Sequence, residues 1–195
     1  MAADLPRCES PDRSVLEIAE DCFLLLVTGP DPVSLDGGSI PGLPSRPIPL
    51  HLLRARLACH RYPRHIRDDV WSELVRRART ERGGGGGGGS TWTLGCVGVA
   101  LVELGAIAGY LSERYDTDPG DVQAAVLAGF VTELRRVDLS RPRILLRLRL
   151  AALRAGGALC EALPYAVTST VTTTADISGH LGLRSASGAA TGVRP

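Results

Sequence analysis

The chain contains no lysine, so all 22 of its basic residues are arginine. Alanine, glycine and proline are abundant as well, which points to a GC-rich coding sequence. Arginine content by itself is therefore not read as phosphate recognition. Aromatic residues make up only 4% of the chain, so a core must be built from Leu, Val, Ile and Ala. A formal net charge of +1 excludes a binder that holds nucleic acid through its overall charge. The five cysteines, Cys8, Cys22, Cys59, Cys96 and Cys160, form no CxxC and no metal-like pair. The opening stretch MAADLPRCESPDR lacks the apolar segment of a secretory signal. The longest apolar stretch, Thr93–Leu111, is broken by Glu103 and four glycines. These absences predict a cytoplasmic chain with reduced thiols and no membrane span.

What is present suffices for a packed domain. The chain has 195 residues, 44% of them apolar. Its charge alternates in blocks. Residues 1–50 hold eight acids and three arginines, and residues 51–82 hold nine arginines and four acids. Residues 83–140 are acidic again, and residues 141–163 are basic.

The apolar spacing predicts an all-α chain, a bundle of about five to six helices with a Gly-rich linker and a flexible C-terminal tail. Ser14–Val27 is expected to be a helix, with Leu16, Ala19, Phe23 and Leu26 on one face. Thr28–Pro49, rich in proline and glycine, is expected to be an irregular connection. Leu50–His60 reads as a short helix. A further helix is expected to start at Asp68 or Asp69 and run to Arg82, its late arginines suiting the helix dipole. Together residues 1–82 form an N-terminal helical segment. Gly83–Gly89 and Ser90 make the linker. The run lacks the Gly-Lys-Ser/Thr of a phosphate-binding loop. A second helical domain, residues 91–163, begins with a buried helix over Trp92–Arg114. Gly95, Gly98, Gly105 and Gly109 weaken this helix locally but allow close approach. Residues 164–195 are expected to be largely disordered.

The best-specified local signal is the helix pair 119–136 and 142–162. Asp118 is placed at the N-cap, Pro119 at N1 and Asp121 at N3, a start that resembles a capping box. In the second helix, Ser140 or Arg141 is the expected cap and Pro142 the start. Ile144, Leu145, Leu148, Ala152, Ala155 and Leu159 fall within about 100° of arc. Arg143, Arg147 and Arg154 fall within about 40° on a separate face. That stripe is either a solvated face or a phosphate-contacting one. Leu146, Leu150 and Leu153 leave the apolar arc, which implies burial against another element or a partner.

No catalytic constellation emerges. Cys59, His60 and His65 match no zinc spacing. No Gly-x-Ser-x-Gly elbow is present. Asp118 and Asp121 are explained by helix capping. The reading is therefore no enzyme, no catalytic residues, no cofactor and no metal.

Residues 92–160 resemble region 2 of bacterial RNA polymerase sigma factors, particularly the compact extracytoplasmic-function type. The resemblance rests on the helix Leu94–Arg114, on Asp118-Pro119-Gly120-Asp121-Val122, on Val126-Leu127 and Phe130, and on the Leu/Arg/Ala helix Arg143–Ala155. Three segments look like sigma-like proteins of high-GC bacteria: PGLPSRPIPL from Pro41, DDVWSELVRRAR from Asp68 and VLAGFVTELRRVDLSRPR from Val126. In sigma factors the Asp-capped helix docks on the polymerase clamp, and the following helices read and open promoter DNA. The resemblance thus implies that Asp118, Asp121, Val122 and Phe130 face core RNA polymerase. It implies that Arg143, Arg147 and Arg154 face DNA. The chain departs from the family at Ala124-Ala125, where Gln-Glu is common. It also lacks aromatics in the last helix, where bases would stack, and no second helix-turn-helix follows Leu163. The implied function is a sigma-like transcription protein that binds polymerase and/or promoter DNA without enzymatic activity. The rival reading is a helical protein-interaction or scaffold module with no nucleic-acid role.

Overall fold

A computed structural model describes residues 13–59, 61–80 and 91–179, with side-chain surroundings described through Ala162. Helix α1, Val15–Thr28, starts where the sequence demands it. Ser14 Oγ accepts from Glu17 N–H at 3.2 Å, and a Glu17 carboxylate oxygen accepts from Ser14 N–H at 2.9 Å, a complete capping box. Leu16, Ala19, Phe23 and Val27 then recur at helical spacing and are buried.

The expected irregular connection is in part a small hairpin. Strand β1, Ser34–Asp36, pairs antiparallel with β2, Pro47–Pro49. Leu35 lies opposite Ile48, and both side chains are buried. The prolines that argued against regular structure explain why β2 is so short. Only Ile48 in that strand has an N–H to donate.

Helix α2, Leu50–Ala58, buries Leu50, Leu53 and Leu57. Helix α3, Arg64–Thr80, starts a turn before the expected Asp68 or Asp69. Pro63 precedes it, where a fixed φ and a missing N–H cost nothing, and Pro63 C=O accepts from Arg67 N–H at 3.1 Å. The helix buries Val70, Trp71, Leu74 and Val75.

Helix α4, Thr91–Tyr115, is the central element, contacted by α1, α2, α3 and the later α5. By length and composition it would suffice to cross a membrane. In this fold Cys96, Ala100, Leu104 and Ala108 on it are core. Two of its glycines permit close approach, as expected. A Cβ on Gly98 would lie 1.9 Å from the Phe23 ring, and one on Gly95 would lie 2.7 Å from Leu50. Gly105 and Gly109 have nothing within 4 Å of that position.

Helix α5, Pro119–Leu134, begins as the sequence predicts: Asp118 accepts from Asp121 N–H at 3.1 Å. Helix α6, Ile144–Gly179, differs at both ends from expectation. It starts after Pro142, and neither Ser140 nor Arg141 caps it. Asp68 of α3 does so, its two carboxylate oxygens accepting from Arg143 N–H at 3.0 Å and Ile144 N–H at 3.2 Å. The helix continues through Gly156 and Gly157 and past the expected end at residue 162. A Cβ on Gly156 would sit 2.6 Å from Leu111 and 2.8 Å from Val126, so this glycine lies where α6 meets α4 and α5.

The described residues are thus an all-α bundle with one two-stranded sheet. Among the described residues, those up to Cys160 form one compact unit and those from Glu161 onward another. The expected division between residues 1–82 and 91–163 is not a division of the core. Trp71, Leu74 and Val75 of α3 share one apolar cluster with Ala100 and Leu104 of α4. The Gly83–Gly89 linker and residues 180–195 of the expected flexible tail lie outside the described residues. Residues 164–179 of that tail are helical backbone.

Candidate functional site: an arginine-lined groove

Arginines in this fold divide by what they touch. Arg54 binds both carboxylate oxygens of Glu20 at 2.8 Å and lies over the Phe23 ring. Arg76 and Arg77 both reach the buried Glu73. Arg79 donates to Leu134 C=O at 3.1 Å and Val137 C=O at 2.6 Å, closing the C-terminal end of α5 from another helix. The late arginines of α3 therefore serve more than their own helix dipole. These groups are spent on the fold.

Of the expected stripe of Arg143, Arg147 and Arg154, Arg147 and Arg154 share a face of α6 and Arg143 stands apart. Arg143 precedes the helix with φ +62°, so it leaves the helical projection that aligned it with the others. Arg147 turns back on the preceding turn and donates to Asp138 C=O and Arg141 C=O at 2.5 Å each. The same turn is held by Asp138, which accepts from Ser140 N–H and Oγ–H. Those bonds hold the Asp138 carboxyl below its ordinary range. Arg154 donates to Leu150 C=O of its own helix at 3.1 Å.

The candidate docking residues also separate. Asp118 and Asp121 are exposed at the start of α5. Val122 and Phe130 are 0% exposed and belong to the core, so they present nothing to a partner. Their spacing marked the inner face of an amphipathic helix, and packing against α4 covers it.

Arg143 instead joins a groove of about 630 Å³ between α2, α3, α4 and the start of α6. Its apolar floor comes from Leu57 and Trp71, from Val99, Val102 and Ala106 of α4, and from Leu145 and Leu146 of α6. Its basic groups are Arg54, Arg64, Arg67, Arg143 and Arg149. Arg54 is neutralised by Glu20. Among the described residues, the guanidinium groups of Arg64, Arg67, Arg143 and Arg149 have no hydrogen-bond or ion-pair partner. Arg67 even holds its Nε buried and unmatched, a costly state for a charged donor. Against these four stand two carboxylates, Asp68, already engaged by two backbone N–H groups, and Glu103. Val102 remains 61% exposed and Leu146 42%.

The groove lining contains no histidine, cysteine or serine. His51, His65 and Cys59 are exposed, and His60 and His180 lie outside the described residues. Among the described residues no group of three His, Cys, Asp or Glu side chains is placed to hold a metal ion. Cys96 is buried in the core, and that burial pushes its thiol well above the ordinary range, away from reactivity.

Sequence reading missed Arg64, Arg67 and Arg149. One signal pointed near Arg149 alone. At about 100° per residue, Leu146 and Arg149 lie outside or at the edge of the core arc of α6. The leucines outside that arc implied burial against another element or a partner, and here Leu146 and Leu150 stay partly exposed. Compared with family models, with curated proteins and with solved structures, the chain has no match.

Proposed function

We propose that this protein is a non-enzymatic, cytoplasmic, helical interaction module that holds another macromolecule in the groove between α2, α3, α4 and α6. The observation that carries this reading is four unpaired guanidinium groups around an exposed apolar floor. Unpaired charge beside uncovered Val102 and Leu146 is what a binding surface offers before its partner arrives. Arg147 and Arg154 are engaged by backbone carbonyls and Arg143 joins the groove, which weighs against a convex phosphate-contacting face. This favours a protein partner over promoter DNA.

The resemblance of residues 92–160 to sigma region 2 makes core RNA polymerase the first partner to test. In that case the exposed Asp118 and Asp121 remain the candidate docking groups at the start of α5. Recovery of polymerase from the native host, unchanged by Asp118→Arg together with Asp121→Arg, would remove that part of the reading.

The module itself is tested by photo-cross-linking in cells that express the full chain. A cross-linker at Val102 is expected to give a discrete protein adduct. One at Leu25, which is 75% exposed on α1, is expected not to. The adduct should vanish with Arg143→Glu and Arg149→Glu. Matching patterns from both positions, or none from either, would overturn the reading.

A further inference from the structure

We infer that the occupant of the groove is an acidic amphipathic helix, a protein segment with apolar residues along one face and carboxylates on both flanks. This rests on the interaction-module reading and specifies the partner's chemistry.

Charge and surface are arranged in a pattern that such a helix complements. Val102 and Ala106 on α4 and Leu145 and Leu146 on α6 supply an apolar floor. Arg64 and Arg67 come from α3, while Arg143 and Arg149 come from the start of α6. Basic groups thus enter the groove from α3 and from the start of α6, beside apolar surface of α4 and α6. A helix laid into an apolar groove buries residues at i, i+3, i+4 and i+7. Its flanking positions then meet the groove's walls. Carboxylates at those positions match guanidinium forks two oxygens to two N–H groups.

A nucleic acid fits less well. Its phosphates would meet Glu103 and Asp68 inside the groove. The one aromatic residue in the lining, Trp71, is 2% exposed and offers no face for base stacking. A small anion would satisfy the arginines and leave the apolar floor uncovered.

The probe is a fluorescein-labelled peptide of about 18 residues, five helical turns, with leucines at helical spacing and glutamates on both flanks. Binding to the full chain is read by fluorescence anisotropy. The acidic peptide is expected to bind saturably, and a scrambled peptide of the same composition at least about tenfold more weakly, since only the ordered one presents both faces. Arg64→Glu with Arg149→Glu should weaken the acidic peptide by about tenfold or more. Both residues are exposed and make no bonds within the fold, so the variant keeps its structure. A charge-reversed peptide with lysine flanks should regain affinity for that variant. Equal binding of the scrambled peptide, indifference to the double substitution, or tighter binding of a DNA duplex that displaces the peptide would each overturn the inference. If Val102 still cross-links to a protein in cells while the acidic peptide fails to bind, the module stands and the acidic helix falls. If neither occurs, both fall.

Discussion

Helix α4 has two halves, built from similar residues and put to opposite uses. In the N-terminal half, Gly95 and Gly98 let Leu50 and Phe23 press against the helix backbone, and Cys96 and Ala100 are sealed. Seven residues on along the same stripe, Val102 and Ala106 open into the groove, and Gly105 and Gly109 meet nothing within 4 Å. Small apolar residues are found in both. Only the neighbours differ: the closed half meets side chains that fill it, and the open half meets arginines with nothing to bind. Composition alone therefore does not separate core from binding surface. Unmatched groups do.

The comparison breaks most sharply by truncating one residue on each side. Phe130→Ala in the sealed core should cost about 3–5 kcal/mol, whereas Leu146→Ala in the groove should cost less than about 0.5 kcal/mol. Urea denaturation of both variants measures the difference. Similar losses at the two sites would mean that the groove is as closed as the core.

A smaller contrast lies within α4 itself. Gly98→Ala drives a methyl into the Phe23 ring and should destabilise by about 1–3 kcal/mol. Gly105→Ala meets nothing and should stabilise by roughly 0.5–1 kcal/mol through helix propensity. Opposite shifts in thermal midpoint are expected.

The cap supplied by Asp68 is worth less again. Asp68→Ala leaves the first N–H groups of α6 without their acceptor and should cost about 0.5–2 kcal/mol. Asp68→Asn should recover most of that, since asparagine caps nearly as well. Chemical denaturation distinguishes the two.

Asp138 gives the smallest effect, visible only in acid. Its folded pKa lies below its unfolded value because Ser140 donates to the carboxylate. Its contribution is therefore present above the unfolded pKa and is lost as pH falls through the folded one. Asp138→Asn should flatten that acid limb of the stability profile and leave behaviour at neutral pH almost unchanged.

These predictions also mark where sequence reading reached and where it stopped. Asp118 with Pro119 was legible because capping acts within a single turn; the Ser14–Glu17 box obeys the same local rule but was not singled out. The inner faces of α1, α4 and α5 were legible because burial follows a period of 3.6 residues. Asp68 and Arg79 were not legible as caps. Their partners lie 55–76 residues away in sequence, so no local spacing marks them. Together they tie α3 to both ends of the α5–α6 connection. That connection also determines Arg143. Its positive φ takes it off the helix, so the angular argument that grouped it with Arg147 and Arg154 does not apply. The groove combines four segments of chain, and of its lining only Arg143 and Leu146 had been singled out beforehand.

The central claim is that the arginines of the groove, and not arginine in general, hold the partner. It is tested most directly by measuring the affinity of the acidic amphipathic peptide for two charge-reversed full-length chains. One carries Arg64→Glu and Arg149→Glu within the groove. The other carries Arg135→Glu and Arg136→Glu, two exposed arginines outside it. Loss of affinity by about tenfold or more in the first, against less than about twofold in the second, is the result predicted. Equal losses in both would contradict it, because the chain would then be attracting acid through its total charge.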